Sequence, residues 1–500
     1  MKTRWMLSAF ALLSFLQIPA QLRAQACEHL KGSGAVGVSI ELAKTIPAGR
    51  FSTAEAHQDF SHLSAFCRVV ATLKPTKDSE IGIEVWLPVS GWNGNFLAVG
   101  SGGWGGSIAY DALADGLRRG YAASATDDGH HGGSASFVVG HPEKLIDFAY
   151  RAEHEMALEA KSLIKAFYGR TPQYSYWNGC SGGGREGLLQ AARYPDEFDG
   201  VIAGDPADVR RNAWALWLAN ATFKDPADYI PPSKYAMIHQ FVLDACDAND
   251  GVKDGLIENP ESCHVDFTRL ACKRGDGADC LTATQVHTAQ TIVSPATDAR
   301  GTVFFPRLEP GTELRWSRVA GGPAPADLFL DQFRYVVYQN PEWDWRSFDL
   351  DRDAAKADAI DKDVDDLRPD LSAFAKRKGK LIVYHGWADQ QVAPGSSIEF
   401  YKAALKATEA TAPPADWIRL YMVPGMAHCS GGEGPDTFDK LSLMEDWVER
   451  GKAPGAVVAS HKTSGEVDRT RPLCPYPQVA RYTGKGSIDE AANFVCRSLH

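Results

Sequence analysis

Positive charge is scarce in this chain. Lysine and arginine number 52 against 63 aspartate and glutamate, a formal net charge of -11. No basic stripe or cluster interrupts the acidic balance, so nucleic acid and anionic surfaces are excluded as partners. Long apolar runs are also missing. Met6 to Ile18 is apolar but too short to span a bilayer, and nothing after it is long and apolar enough to cross a membrane. Cysteine pairs at C-x-x-C spacing are absent, which argues against a structural zinc. Internal repeats and low-complexity tracts are absent too. No Lys-Ser/Thr follows the glycine-rich stretch at 100–106, so it is not a phosphate-binding loop.

What is present begins with an export signal. Lys2 and Arg4 precede the apolar run, and Ala24-Gln25-Ala26 is a small-x-small cleavage site, so 1–26 reads as a signal peptide. Cys27 directly after it invites lipidation, but Ala24 is a poor match to the aliphatic residue such a site uses. Loss of Lys2, Arg4 and Arg23 takes the formal charge from -11 to -14. The ten cysteines form an even set in an exported chain, the pattern of a disulfide framework. Secretion or a periplasmic location is expected.

At 500 residues, two domains or one domain with a large insertion is the natural prior. Strand-like runs at Ile81 to Val89, Asn95 to Val99, Tyr121 to Thr126, Tyr174 to Trp177 and Gly200 to Gly204 alternate with helical periodicity. Leu145, Ala149, Ala152, Met156, Ala160, Leu163 and Phe167 predict one helix, capped by Gly169. Alternation of this kind indicates an α/β fold with a mostly parallel sheet. It stops after Asp205, where a segment rich in Trp, Asp and Pro begins, and it resumes with strands at Gly379 to Tyr384 and Trp417 to Val423. The predicted organisation is a core from 27–205 and 371–500 with an inserted lid over 206–370.

Gly179-Cys180-Ser181-Gly182-Gly183 matches G-x-S-x-G between a strand and a helix. In that context the pattern is a nucleophile elbow, a tight turn that pushes the serine out at the strand's end. A serine hydroxyl needs a histidine base, and the histidine needs a carboxylate. Asp389 and His428 follow strand-like runs in the order Ser, acid, His. His385 competes for the base role but precedes the acid. Asp127-Asp128-Gly129-His130-His131-Gly132 also ends a strand, where a hydrogen-bonded turn is favoured over a metal site. Cys180 adjoins the serine and Cys429 adjoins the histidine. If they are paired, their Cα atoms lie within ~4.4–6.8 Å, and Ser181 and His428 are forced together.

These residues resemble the tannase and feruloyl esterase family, which includes the bacterial hydrolase of mono(2-hydroxyethyl) terephthalate. The resemblance runs through Tyr150-Arg151-Ala152-Glu153-His154-Glu155-Met156, the elbow through Arg185, Arg193-Tyr194-Pro195, His385-Gly386 to Asp389, and Pro424-Gly425-Met426 to His428-Cys429. It implies an α/β-hydrolase core with a lid domain, Ser181, Asp389 and His428 as the triad, and an oxyanion hole from the backbone N–H groups of Gly103 and Gly182. The family often has a larger residue where this chain has Gly182, so a side-chain contact to substrate is lost. It implies a structural calcium ion in the lid, held by Asp247, Asp250 and Asp254 side chains and by the Val252 and Leu256 carbonyls. Hard oxygen donors of this kind suit calcium. It implies the Cys180–Cys429 bridge beneath the triad, and it supports the pairs that local spacing suggests, Cys27–Cys67, Cys246–Cys263, Cys272–Cys280 and Cys474–Cys496.

The implied activity is that of a secreted serine carboxylic-ester hydrolase acting on small aromatic esters, feruloyl (hydroxycinnamoyl) or galloyl. A terephthalate monoester hydrolase is the alternative within the class. A serine peptidase or a non-catalytic calcium-dependent binding protein are the alternatives outside it. Among lid aromatics, Phe333 is expected to contact substrate, whereas a surface ion pair is expected for Arg334. The sequence carries no signal for an oligomeric state.

Overall fold

The computed structural model describes residues 26–34, 36–55, 58–361 and 367–498. The expected signal peptide lies outside these, apart from Ala26. In chain order the strands are β1 (Val38–Ile46), β2 (Phe66–Leu73), β3 (Ile81–Pro88), β4 (Phe96–Val99), β5 (Ala122–Thr126), β6 (Ser175–Cys180) and β7 (Gly200–Gly204). The helices among them are α1 (Tyr110–Arg118), α2 (Pro142–Ile146), α3 (Ala152–Tyr168) and α4 (Gly182–Arg193). A short hairpin, β8 (Ala296–Thr297) and β9 (Val303–Phe305), follows within a helical segment. Then come β10 (Lys380–Gly386) and β11 (Ile418–Val423), and finally β12 (Val457–Thr463), β13 (Glu466–Leu473), β14 (Gln478–Tyr482) and β15 (Phe494–Ser498).

Nine strands form one sheet in the order β1-β2-β3-β5-β4-β6-β7-β10-β11. From β5 to β11 every pairing is parallel, while β1, β2 and β3 join antiparallel at one edge. The central strands read as continuous apolar runs because helices cover both faces. Alternate residues serve opposite sides: Phe96, Ala98, Trp177 and Val201 join one core, and Leu97, Val99, Tyr176 and Ile202 join the other. This is an α/β-hydrolase fold with a mostly parallel sheet.

The strands expected near 81, 95, 121, 174, 200, 379 and 417 are all present. The helix expected from Leu145 to Phe167 is interrupted. A π-helical stretch over Asp147–Arg151 separates α2 from α3, and Asp147 is fully buried there, bonded to Ser79 and to Arg151. The wider turn accommodates a buried carboxylate that a straight amphipathic reading does not anticipate. Gly169 ends α3 in the left-handed conformation, as expected (φ 74°).

β7 and β10 are hydrogen-bonded neighbours. The helical segment between them therefore leaves the sheet and returns beside its point of departure. Its apolar side chains gather into cores of their own, one around Trp214, Phe267 and Trp316 and another around Leu216, Leu330 and Trp345. After β11 the chain does not extend the sheet. β12 pairs with β13 and β14 with β15 as separate hairpins. Five disulfides, Cys27–Cys67, Cys180–Cys429, Cys246–Cys263, Cys272–Cys280 and Cys474–Cys496, tie the molecule together. They are the pairs that the resemblance implies, and Cys27 is one of them. Among the described residues no helix is long and apolar enough to cross a membrane.

Candidate active site

Ser181 stands at the turn from β6 into α4 with φ 61° and ψ -119°. A non-glycine residue in this region is strained, and the surroundings must hold it there. They do so through its backbone: the N–H donates to Gly204 O (2.9 Å), and its carbonyl accepts from Arg185 N (3.1 Å) and Ala207 N (3.0 Å). The turn closes only on small residues. A Cβ on Gly179 would lie 2.3 Å from Gly183 O, and one on Gly184 would lie 2.3 Å from Gly204 O. At Gly182 the nearest atoms would be at 3.5 Å, an ordinary contact. Gly182→Ala is therefore expected to keep the wild-type melting temperature within a degree or so, while Gly184→Ala lowers it by several degrees or abolishes soluble expression. A thermal melt of the two variants checks this; equal melts would refute the packing argument.

His428 follows β11, and Asp389 follows β10. His428 Nε2 lies 2.8 Å from Ser181 Oγ, and His428 Nδ1 lies 2.7 Å from Asp389 Oδ2. The other oxygen of Asp389 accepts the N–H groups of Gln391 (2.7 Å) and Val392 (3.0 Å). Burial opposes a charge on Asp389, but the His428 and His385 imidazoles outweigh it and hold the carboxyl well below the usual range. The Cys180–Cys429 bridge brings the two loops together, with Cα atoms 5.9 Å apart. Hydroxyl, imidazole and ionised carboxylate thus form one hydrogen-bonded chain. Such a chain can move a proton off the hydroxyl and return it.

His385 is not the base. It is fully buried on the far side of Asp389, with Nε2 3.2 Å from Asp389 Oδ2 and 3.5 Å from Asp205 Oδ1, and Nδ1 2.7 Å from Ser397 Oγ. Asp205 escaped the sequence reading. It directly follows β7, is fully buried, and accepts the N–H groups of Cys429 (2.9 Å) and Gly386 (2.8 Å). Burial and the nearby Asp389 push its carboxyl up to about 6, against the pull of His385. The signal available in advance was its place at a strand's carboxyl end, shared with Ser181, Asp389 and His428.

Gly182 opens α4, so its N–H has no intrahelical acceptor. Gly103 sits in the left-handed region (φ 63°) in the loop after β4, and its N–H donates to no backbone acceptor among the described residues. A Cβ on Gly182 would be 3.5 Å from Gly103 N. The structure thus brings the two expected donors side by side next to Ser181. The lining of a small cavity here includes Gly103, Gly182, Trp104, Phe148 and Val209 together with Arg185, Arg211 and Asn212. The inserted segment reaches over it: Trp104 Nε1 donates to Leu328 O at 2.9 Å. A larger cavity of about 460 Å³, where Leu188 of α4 and Ser396, Glu399 and Phe400 of the helix Gly395–Thr408 face the inserted segment, has none of Ser181, Asp389 or His428 in its lining.

Phe333 is not at this site. Its ring is fully buried inside the insertion, 5.6 Å from Trp343 and 5.2 Å from Phe348. Arg334 pairs with exposed Asp327 at 3.0 Å, as expected.

In the acidic loop, Asp247 accepts from the N–H groups of Asp254 (3.1 Å) and Gly255 (3.0 Å), and Asp250 from that of Val252 (3.1 Å). Asp254 accepts from Leu256 N (3.2 Å) and forms an ion pair with buried Arg471 on β13. Burial, with Asp254 and Asp247 adding to it, pushes Asp250 up to about 6. Burial pushes the adjoining Glu258 up to about 8.

The family model for tannase and feruloyl esterase matches residues 67–497. The chain belongs to the tannase and feruloyl esterase family. Membership makes it a carboxylic-ester hydrolase of the feruloyl esterase and tannase type. An uncharacterised esterase of Xanthomonas campestris is 37% identical across 99% of this chain and 94% of its own. A probable feruloyl esterase B-2 of Neosartorya fischeri is 35% identical across 86% of each chain. The crystal structure of feruloyl esterase B from Aspergillus oryzae superposes with a TM-score of 0.89 at 32% identity, covering 94% of this chain and 99% of that one. The tannin acyl hydrolase of Aspergillus niger shares the fold, with a TM-score of 0.76 at 24% identity.

Proposed function

We propose that this family member is an exported serine esterase that hydrolyses feruloyl and related hydroxycinnamoyl esters through an acyl-enzyme. The observation that carries the reading is the continuous chain from Ser181 Oγ through His428 to Asp389, with contacts of 2.8 and 2.7 Å. Ser181 attacks the ester carbonyl carbon while its proton passes to His428 Nε2. Asp389 steadies the imidazolium. The developing oxyanion receives the N–H groups of Gly182 and Gly103. Collapse breaks the bond to the alcohol oxygen, which takes the proton from His428. Water then attacks the acyl carbon while His428 takes its proton, and collapse breaks the acyl–Oγ bond, Ser181 Oγ regaining the proton from His428 as the aromatic acid leaves. On this reading the aromatic acyl group lies toward Trp104, Phe148 and Val209, which share the small cavity beside the oxyanion donors with Arg185 and Arg211.

The feruloyl choice rests on the relatives called feruloyl esterase B at 35% identity. A panel of methyl ferulate, methyl gallate, mono(2-hydroxyethyl) terephthalate and a peptide tests it. Methyl ferulate is expected to have the highest kcat/KM, by about tenfold or more, an apolar-pocket margin of 1–3 kcal/mol. A gallate or terephthalate preference would sink the acyl assignment. Peptide cleavage without ester cleavage would sink the class.

The acidic loop fits a calcium ion. Its Asp247 and Asp250 are crowded carboxylates, and among the described residues no backbone N–H donates to the carbonyls of Val252 and Leu256. Asp254 divides its oxygens between Arg471 and the Leu256 N–H, so one cation already offsets part of the charge. Asp247, Asp250, Asp254 and the two carbonyls would hold the ion, which supplies structural charge neutralisation between the Cys246–Cys263 loop and the β13 hairpin. Removal by a chelator is expected to lower the melting temperature by several degrees, and readdition to restore it. A melt indifferent to chelation, with no calcium in the purified protein, would end the proposal.

The cleavage signal supports export, and five disulfides suit an oxidising compartment.

A further inference from the structure

Behind the glycine loop that carries Gly103 lies a second set of acids. Asp128 follows β5, Glu153 is on α3 and Glu186 is on α4. All are buried, and one oxygen of each lies within 4.8 Å of the others. Ser101 sits against two of them. Its N–H donates to Glu186 Oε2 at 3.0 Å, and its carbonyl accepts from Gly183 N at 2.8 Å. Its Oγ is 2.6 Å from Glu186 Oε1 and also 2.6 Å from Asp128 Oδ2. Asp128 fits closely: a Cβ on Gly105 would lie 2.1 Å from Asp128 Oδ2.

Proton counting decides what these contacts mean. A serine hydroxyl has one proton, and an ionised carboxylate only accepts. Two contacts of 2.6 Å to one hydroxyl therefore require a proton on one of the two carboxyls. Glu186 already accepts the Ser101 N–H with its other oxygen, as an ionised double acceptor does. Asp128 Oδ1 has no hydrogen-bond partner among the described residues. A bare oxygen in the core is tolerable on a neutral acid and costly on a carboxylate. The charged and titratable groups facing Asp128 are Glu186 and Arg185 from α4, Glu153 from α3 and Asp127 on its own loop. Burial, with Glu186 adding to it, raises the Asp128 carboxyl well above its usual range. Glu153, raised by the same causes, has both oxygens unpartnered.

We propose that Asp128 is a buried carboxylic acid that donates to Ser101 Oγ, that Ser101 donates in turn to the Glu186 carboxylate, and that this proton chain positions the 100–106 loop for oxyanion binding. It rests on the reading of Gly103 as an oxyanion donor. Asp128, Ser101 and Glu186 are positioning residues, acting through the backbone of the loop. The loop is pinned at the N–H, carbonyl and hydroxyl of Ser101, two residues before Gly103.

The full exported protein with four substitutions tests this. Asp128→Ala and Ser101→Ala are expected to lower kcat by about tenfold or more, with KM within about twofold, because a displaced donor weakens only the transition state. Asp128→Asn is expected to restore kcat, since its amide N–H donates to the same Oγ. Glu186→Gln is expected to lower kcat, since Ser101 donates to two different Glu186 oxygens and the amide NH2 would face one of those donors. The infrared C=O band of protonated carboxyl groups, read at pH 8 without substrate, is expected to lose intensity in Asp128→Asn. If that band is unchanged while Ser101→Ala still lowers kcat, Asp128 carries no proton and the proposal is overturned. If the band falls but kcat is unmoved in Ser101→Ala, the hydroxyl chain does not position the loop and the proposal is overturned, while the reading of Gly103 as an oxyanion donor stands. Asp128→Asn as impaired as Asp128→Ala would also overturn the chain.

Discussion

Alanine at position 181 is expected to cut kcat on methyl ferulate by about 10⁴-fold or more, with an unchanged melting temperature. The substitution removes one oxygen. That oxygen is 2.8 Å from His428 Nε2, and the histidine's other nitrogen is held 2.7 Å from Asp389. No other hydroxyl is bonded to His428 Nε2 among the described residues, so nothing takes over the attack. Residual turnover would come only from the oxyanion donors and substrate binding, which in serine hydrolases leave a small background over water. Alanine has the same Cβ as serine and pays no more for φ 61°, so the elbow keeps its shape. A steady-state assay with a thermal melt checks both halves. Turnover above about a hundredth of wild type, in a properly folded variant, would show that Ser181 is not the nucleophile.

Replacing Cys180 and Cys429 together by serine is expected to destabilise the protein by about 5 kcal/mol in the chain-entropy model and to lower kcat by about 100-fold. The stability term is large because the bridge spans 249 residues of sequence, and loop-closure entropy grows with length. The kinetic term has a different origin. Ser181 is carried by the β6–α4 turn and His428 by the loop after β11, with the whole insertion between them in sequence. Cys429 adopts φ 65°, a strained conformation kept by the bridge and by the Asp205 carboxylate on its N–H. Without the bridge the Cys429 backbone keeps the Asp205 hydrogen bond but loses its covalent tie to the Ser181 turn, and a shift of about 1 Å at His428 Nε2 is enough for the predicted loss. Melting curves under oxidising and reducing conditions, run beside the assay, separate the two effects. A double variant with wild-type melting temperature and kcat would show that neighbouring strands alone align the site.

The site was legible in the sequence to different depths. Ser181 stood out because a tight turn dictates the size of its neighbours. Asp389 and His428 were found by their order and strand-end positions, and the flanking cysteines tied His428 to Ser181. Asp205, His385 and Ser101 act through contacts that no local pattern marks. Asp205 reaches Cys429, 224 positions away, and Ser101 reaches Glu186, 85 positions away. The π-helical stretch at Asp147–Arg151 was hidden because the apolar spacing continues through it. Phe333 was misread because an aromatic side chain in an insertion serves a local core as readily as a pocket, and spacing does not tell the two apart.

The edges of the fold were harder to read than its centre. The middle strands are covered on both faces, so their apolar runs are unbroken. β1 buries only Ile40 and Ala43, and β12 only Val457 and Ala459, which leaves almost no pattern. The sequence by itself determined the α/β-hydrolase core, the elbow and the candidates for the Ser–His–Asp chain, because each is written in local sterics or in neighbouring residues, while the disulfide partners came from the family resemblance. Only the tertiary structure decided which histidine faces Ser181, which carboxylate restrains the Cys429 loop, where the insertion meets the oxyanion loop, and that Asp128 and Glu186 share one serine. Those outcomes depend on distances across the sheet and on burial, which one-dimensional order does not carry.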